Sequence, residues 1–361
     1  MTKKHIRTLS CLFSLFFLFF SLDIVQASDS TVDYSISANL PENQREGNAT
    51  YFDLMVTPGQ EQELTVNIFN SSDKEQTFIL EANTAVTNNN GIIDYTRPDK
   101  EQEKDSTLRH AFSELVTHDE TITVGPNANK VAVFKLKVPE EPFEGLILGG
   151  FHVRQEAPEK VDGQINNTYS YALGVVLREK EEDVQPEMKL NGVTPSLNNY
   201  RPQVSVNLQN TQPVNIKELT VKADIRKEGQ NQVLKSAKKQ GISMAPNSNF
   251  DYAIPWENQA LEAGKYELEL TASDQAGNEW SFNETFTITK ENAEEVNKSA
   301  LGLTSVDSTD DRLLYILFGA IAVLIVLVFY FMRRQRALVL QRELLKKQKK
   351  RKKRPKKRSR E

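Results

Sequence analysis

The chain carries two charge-free apolar runs, one near each end, and they divide it into pieces that belong in different solvents. The longer run, Leu313–Met332, is 20 residues without a charge. At about 1.5 Å of rise per residue, a helix of that length covers about 30 Å, the hydrocarbon thickness of a bilayer. A soluble core helix apolar on every face is rare in a domain of this size, so the run predicts a transmembrane helix over 313–332. Asp307, Asp310 and Asp311 precede it, and Arg333, Arg334 and Arg336 follow it. Basic residues stay on the cytoplasmic side, which predicts a cytoplasmic tail at 333–361 and an extracellular body at 28–312.

The shorter run, Leu9–Leu22, is 14 residues of mainly Phe and Leu, too short to span a bilayer. Lys3, Lys4 and Arg7 precede it, and Val25-Gln26-Ala27 supplies small residues where a signal peptidase cuts. The segment 1–27 therefore reads as a secretory signal peptide. The only cysteine, Cys11, leaves with it, so the mature chain holds no disulfide. An ectodomain of about 285 residues without disulfides must stand on apolar cores, and it is long enough for two. This pattern favours a Gram-positive bacterial exporter. The Asn-Xaa-Ser/Thr triplets at Asn48, Asn70, Asn166, Asn283 and Asn297 then read as chance in an Asn-rich chain.

Charge is segregated along the chain. Residues 28–312 hold 46 acidic and 26 basic side chains, and residues 333–361 hold 16 basic and 2 acidic. By composition the tail resembles a nucleic-acid patch. Directly behind a membrane helix it reads instead as a stop-transfer block drawn to anionic lipid headgroups, at about 1 kcal/mol per basic residue, and no nucleic-acid partner is expected. No LPxTG precedes Leu313, so the helix is expected to remain as the anchor.

Between the ends the pattern is strands. Leu64–Phe69, Val131–Val138, Val204–Leu208, Leu219–Ile225 and Tyr266–Ala272 each place an apolar residue at every second position, which puts one face on a core and the other in water. Pro-Gly or Pro-Asn turns precede a long strand at Pro58-Gly59, Pro126-Asn127 and Pro246-Asn247. The one helical spacing lies near Leu108–Val116. Many short strands without βαβ alternation predict an all-β ectodomain of two tandem immunoglobulin-like β-sandwiches, followed by the single membrane helix and basic tail. Two boundaries compete. Gln155–Asn167 is one polar stretch, and Glu179–Glu187 is another, favoured if Ile147–Val153 and Tyr169–Leu177 pair as a hairpin that closes the first sandwich. Residues 291–311, polar and acidic, read as a spacer above the membrane.

The sequence offers no catalytic or metal signature. His110, His118 and His152 stand in separate segments, without HExxH, and no GxSxG, P-loop or GxGxxG is present. An acidic pair such as Asp94 and Asp119 would serve a glycan hydrolase, yet solvated surface carboxylates are the plainer account. Trp256 and Trp280 suit a sugar platform less well than core positions. No cofactor or metal is expected, and the chain reads as a binding protein and not an enzyme.

Several stretches, in order, resemble the WxL-interacting proteins of Gram-positive bacteria. In the first half these are Tyr34-Ser35-Ile36 with Asn39–Gln44, Tyr51–Leu54, Thr87–Tyr95 and Phe143–Gly150; in the second, Tyr171–Leu177, Met244–Ser248 and Gly264-Lys265-Tyr266. The resemblance implies a first sandwich at 33–155 that binds peptidoglycan and WxL-type secreted proteins. It implies a second at 163–302 that binds host extracellular matrix protein, so that the whole is a membrane-anchored adhesion adaptor. The chain has no Trp-x-Leu of its own, as suits the partner of a WxL protein. The binding residues expected from amide content are Asn39, Asn43 and Gln44 in one stretch and Asn88, Asn90 and Asp94 in another; the same residues also make ordinary turns. A cell-wall hydrolase and a passive structural spacer are the alternatives.

The topology is directly testable because the mature chain lacks cysteine. In intact cells, Ser305→Cys should react with an impermeant maleimide, and Ser359→Cys should react only after permeabilisation. The reverse labelling pattern would invert the orientation.

Overall fold

A computed structural model describes residues 32–303, except 48, 102, 157–168, 182 and 183, together with 318–336 and 342. The segment read as a signal peptide, most of the basic tail and the spacer beyond 303 lie outside the described residues.

The first sandwich packs two sheets. One runs in the order Tyr34–Asn39 (β1), Glu61–Asn70 (β3), Ala128–Lys137 (β9) and Val116–His118 (β7). The other runs Phe52–Met55 (β2), Ser170–Arg178 (β11), Ile147–Gln155 (β10), Gln76–Thr84 (β4) and Thr121–Val124 (β8). A short hairpin, Val86–Thr87 (β5) with Ile93–Asp94 (β6), projects from the end of β4. Inward positions alternate as the sequence predicts: Leu64, Val66 and Ile68 on β3 are buried, as are Ala132, Phe134 and Leu136 on β9. The centre is aromatic. Phe151 stacks on Phe134 with ring centroids 3.8 Å apart and meets Phe52 edge-on at 5.7 Å. Such pairs add about 0.5–1.5 kcal/mol beyond the area they bury.

One expectation changes here. The helical spacing of Leu108–Val116 yields only one 3₁₀ turn, Phe112–Leu115, because Phe112 is drawn into the core beneath β10. A Cβ at Gly149 would stand 2.1 Å from the Phe112 ring, so that glycine makes room for the plug. β11 pairs with β10 from Ile147↔Leu177 to Arg154↔Ser170 and lies parallel to β2, so it fills the middle of a first-domain sheet. The first strand of the second sandwich is then Met188–Asn198, as the hairpin alternative has it.

The second sandwich faces Met188–Asn198 (β12), Arg201–Asn210 (β13) and Ser248–Pro255 (β16) against Val233–Met244 (β15), Ile216–Lys227 (β14), Gly264–Ser273 (β17) and Glu279–Ile288 (β18). Trp256 and Tyr266 are buried in its core, and Trp280 packs against it from β18. Part of the expected spacer is structured. Lys290–Ser299 (α1) is capped by Thr289, whose Oγ1 accepts from the Asn292 N–H, and it seats Ala293 and Val296 on the second core. Asn297 then clamps both backbone groups of Leu261, at 2.8 and 2.9 Å.

The halves share one device. Asn70 ends β3 and Asn210 ends β13, each wholly buried. Asn70 Nδ2 donates to the carbonyls of Lys74, Val124 and Gly125. Asn210 Nδ2 donates to those of Val214 and Ala245. The Pro-Asn turns meet these corners: Asn127 N–H reaches Ser72 O, and Asn247 N–H reaches Gln212 O. Both turn asparagines have left-handed φ, 50° and 47°, which Asn tolerates better than most residues. Burial and these bonds also explain why the Asn70 triplet is structural.

Beyond the gap, Phe318–Arg336 (α2) is one helix long and apolar enough to cross a membrane, with no buried face. Its last turn carries Arg333, Arg334 and Arg336.

Removing a corner amide strands buried carbonyls, at about 1–3 kcal/mol each set. Asn210→Ala should lower unfolding stability by about 2–3 kcal/mol and Asn70→Ala by a similar amount, each measured by denaturant titration. Losses under 0.5 kcal/mol would show the corners to be incidental.

Candidate functional site

The six residues expected to bind fall into three places, and the structure does not bring them together. Asn39 lies at the end of β1 on the outer face of its sheet. Its Oδ1 accepts from Asn67 Nδ2 at 2.6 Å, and its Nδ2 donates to Thr65 Oγ1 at 3.0 Å. Asn43 and Gln44 sit in the turn before β2. Asn43 Nδ2 donates to Met55 O, Gln44 Nε2 to Tyr51 O, and Gln44 Oε1 accepts from the Asp53 N–H. Their amides are spent on fastening that turn to its strand.

Asn88, Asn90 and Asp94 belong to the β5–β6 hairpin. Asn88 Oδ1 accepts from the N–H groups of Asn90 and Ile92. Burial by itself would raise the Asp94 carboxyl, but the Thr96 N–H and hydroxyl, with Arg97 3.5 Å away, outweigh it and hold the group below the ordinary range. Asp119 stands elsewhere, in the turn between β7 and β8, so these two carboxylates belong to separate elements.

The hairpin docks on the second sandwich. Thr87 Oγ1 accepts from the Ala245 N–H at 2.9 Å and shares a hydrogen bond of 2.7 Å with Ser248 Oγ. Gly91 O accepts from the Ser243 N–H. Ala85, Leu148, Val176 and Ala245 form a small core between the domains. Gly145 and Gly91 allow the closest approaches, since a Cβ would meet Pro213 O at 2.2 Å and Ile242 at 2.9 Å. Behind the hairpin, Tyr95 lies across Gly150 on β10, where burial first, then Tyr51, raises its phenol.

Two clefts flank this junction. One, about 580 Å³, lies between the 84–114 region and the outer face of β13 and β16. It is lined by amides and carboxylates, including Asn89, Asp99, Asp105, Asn207 and Asn249. Its carboxylates already have protein donors: Asp99 takes the hydroxyls of Thr84 and Ser113, and Asp105 takes Gln209 and Asn249 across the domain boundary. The other, about 710 Å³, is lined by Arg45, Arg178, Lys180 and Lys217 together with Asp53 and Asp274. Arg45 and Arg178 both bind Asp53, at 3.1 and 3.0 Å. Among the described residues no group of three or more His, Cys, Asp or Glu is placed to hold a metal.

The surface that sequence reasoning passed over is the outer face of β1, β3 and β9. Around Asn39 it carries Ser35 and Ser37 on β1, then Thr65, Asn67 and Phe69 on β3. Asn129, Val131 and Val133 on β9 continue the same rows. None is charged, in an ectodomain where charge is abundant. Phe69, Val131 and Val133 are 43%, 46% and 37% exposed. Charge returns towards one end of the same rows, where Glu63 stands opposite Lys135 and Glu61 pairs with Lys137 at 3.2 Å. The alternation of β3 and β9 held this signal, but only the register aligns their polar positions with those of β1 into one patch.

Residues 34–155 match the family model described as WxL Interacting Protein, peptidoglycan binding domain. Residues 160–298 match WxL Interacting Protein, host binding domain. That second match begins before β11, which pairs in the first sandwich. No curated protein matches the chain. Similar solved structures include a chaperone–tip adhesin complex of CFA/I fimbriae, at 10% identity and TM-score 0.29, covering 70% of this chain and 97% of that one. The CupB2 chaperone of Pseudomonas aeruginosa is 14% identical with TM-score 0.26, covering 62% and 92%. The E. coli chaperone DraB is 11% identical with TM-score 0.26, covering 71% and 95%.

Because Gly91 combines φ of +64° with contact to Ile242, Gly91→Ala should loosen the hairpin from the second sandwich, at about 1–3 kcal/mol. Amide exchange at Ser243 should accelerate at least tenfold, while exchange deep in either core stays unchanged. Unaltered exchange at Ser243 would remove the docking role.

Proposed function

The chain belongs to the WxL Interacting Protein family, and from that premise we propose that it is a membrane-anchored, non-enzymatic adaptor of the cell surface. In this reading the first sandwich holds peptidoglycan, the second meets host matrix protein, and a WxL-type secreted protein is the partner it retains at the wall. The helix α2 anchors the assembly, with the sandwiches outside and the basic tail against anionic lipid.

The observation that carries the peptidoglycan assignment is the uncharged patch around Asn39, Thr65, Asn67, Val131 and Val133 on the outer face of β1, β3 and β9. It lies wholly within the residues that match the peptidoglycan-binding model. Peptidoglycan strands present hydroxyl and acetamido groups alternating with apolar sugar faces. An Asn39–Asn67–Thr65 ladder offers donors and acceptors already oriented by one another, so little side-chain entropy is lost when a sugar is met. Exposed Val131, Val133 and Phe69 supply apolar area beside it. An anionic surface would repel the carboxylates of the stem peptides; here the patch itself is uncharged, and Glu63 and Glu61 at its end each stand opposite a lysine, Lys135 and Lys137. Asn39 is the proposed contact; Asn43, Gln44, Asn88, Asn90 and Asp94 act as the scaffold that fixes neighbouring turns.

Hydrolysis has less support. The carboxyls of Asp94, Glu187, Asp224 and Glu257 are all held below the ordinary range, the opposite of the raised acid that protonates a glycosidic oxygen.

The test is co-sedimentation of the ectodomain with purified sacculi. Val131→Asp/Val133→Asp, which places carboxylates on the proposed face, should reduce retention at least tenfold while leaving the melting temperature within a few degrees. Asn39→Ala should reduce it about threefold. Wild-type retention in both variants would move the glycan site elsewhere, and release of soluble fragments from the sacculi would overturn the non-enzymatic reading. Capture of a WxL-type protein from a wall extract checks the partner.

A further inference from the structure

In the second sandwich a seam runs between two sheet edges. There β15 and β16 are the facing edges of opposite sheets. Residues paired across a ladder share a face. Lys239, Ala237 and Lys235 stand opposite the buried Val221, Ala223 and Ile225, so along β15 this side passes from buried Lys235 through half-buried Ala237 to Lys239, which is exposed at the rim of the space between the sheets. From the other side β16 presents buried Phe250 and Tyr252. Between them lies a cavity of about 310 Å³, bounded by Ala237, Lys239, Phe250, Tyr252, Ala253 and Asn89.

Each end of this seam shows what it accepts. At the top, the hairpin tip of the first sandwich supplies Gly91 O to the Ser243 N–H at 2.8 Å and Asn89 Oδ1 to the Asp251 N–H at 3.4 Å. Backbone donors on the free edges of both strands are thus already met by a segment from another domain. At the bottom, Lys235 is buried and 5.7 Å from the Trp256 ring centroid, and the Glu257 carboxylate reaches it at 2.7 Å. That hydrogen bond, then the charge of Lys235, holds Glu257 below the ordinary carboxylate range. Between the two ends the seam is unfilled. Lys238 and Lys239 make no ion pair with any other described residue.

Inward lysines on an edge strand deter indiscriminate strand pairing, because covering an ammonium without a counter-ion costs several kcal/mol. A strand that brings its own carboxylate escapes that penalty, as Glu257 does at Lys235. The backbone is also available. Asp251 N–H points away from β13, and directions repeat at alternate residues of an antiparallel strand, so Ala253 N–H and C=O face outward too. Pro255 ends the run of donors. What remains fits about five extended residues at about 3.4 Å each.

We propose that this seam binds an extended acidic segment of a protein partner. The segment pairs with the free edge at Ala253, sets a small apolar side chain in the cavity beside half-buried Ala237, and sets a carboxylate on Lys239. The proposal rests on the adaptor reading only in supposing a protein partner, and it is separable from the glycan face on the first sandwich.

The experiment uses the full chain in detergent micelles and three fluorescein-labelled ten-residue peptides in which Val alternates with Glu, Gln or Lys. Fluorescence anisotropy should show the Glu peptide binding at least tenfold more tightly than the Gln peptide, with the Lys peptide failing to compete. Lys239→Glu should abolish binding. Ala237→Phe, which fills the seam without changing charge, should weaken it at least tenfold, and hydrogen exchange at Ala253 should slow on binding. Equal affinity for the three peptides would overturn the proposal, as would unchanged affinity for the Glu peptide in both variants. Sacculus retention is measured on the same samples. Its loss with peptide binding intact sinks the glycan assignment alone; the converse sinks the seam alone.

Discussion

A β-sandwich without disulfides has to close its corners by hydrogen bonds, and in this chain two buried asparagines meet that requirement. Where a strand leaves one sheet for the other, the turning backbone exposes carbonyls that no ladder can reach, and water is excluded from them. Asn70 and Asn210 answer these carbonyls from within, with Nδ2 bonds of 2.6–3.1 Å. Each corner also receives a Pro-Asn turn whose left-handed asparagine returns the chain into the next long strand. Without these bonds the aromatic cores, Phe134 on Phe151 in one domain and Tyr266 on Phe286 in the other, would have no fixed frame to pack within.

The same economy joins the domains. The chain passes between them through 179–187, yet their geometry is set by the β5–β6 hairpin and a four-residue apolar junction. Thr87, Gly91, Gly145 and Asp105 each touch the other sandwich. Two of these are glycines whose missing Cβ is filled by a neighbour, so the contact is too close for a freely hinged pair. The proposed adaptor would gain from such a junction, because its two proposed binding surfaces would keep a constant separation.

Those surfaces differ in the chemistry they leave uncovered. Residues 28–312 are acidic overall, so the places without negative charge are where an anionic polymer or protein meets least repulsion. On the first sandwich this is a neutral sheet face with oriented amides and exposed valines. On the second it is a seam bordered by buried Lys235 and exposed Lys239. The first is the surface proposed for glycan, and the second the one proposed for an acidic strand. The hairpin stands beside the second surface and occupies its upper end.

Much of this was legible before any coordinates. The apolar runs and their charged flanks set the expected topology, and period-two alternation set the all-β class, since both depend only on local order along the chain. The pairing of 147–153 with 169–177 was also visible as one of two readings, because both segments alternate and a turn-rich stretch separates them. Three features were not legible. The helix at Lys290–Ser299 hid in an acidic stretch because only Ala293 and Val296 of it are buried, too few to raise a periodic signal. The amides of Asn43, Gln44 and Asn88 are binding candidates by composition, and each also makes hydrogen bonds within its own turn; composition does not show which groups are so engaged. The neutral face and the lysine seam arise from register and from which edges face each other. Sequence determined what each strand could bury. Only the tertiary structure decided which exposed residues became neighbours, because side chains on different strands meet through hydrogen-bonded ladders that join residues far apart in the chain.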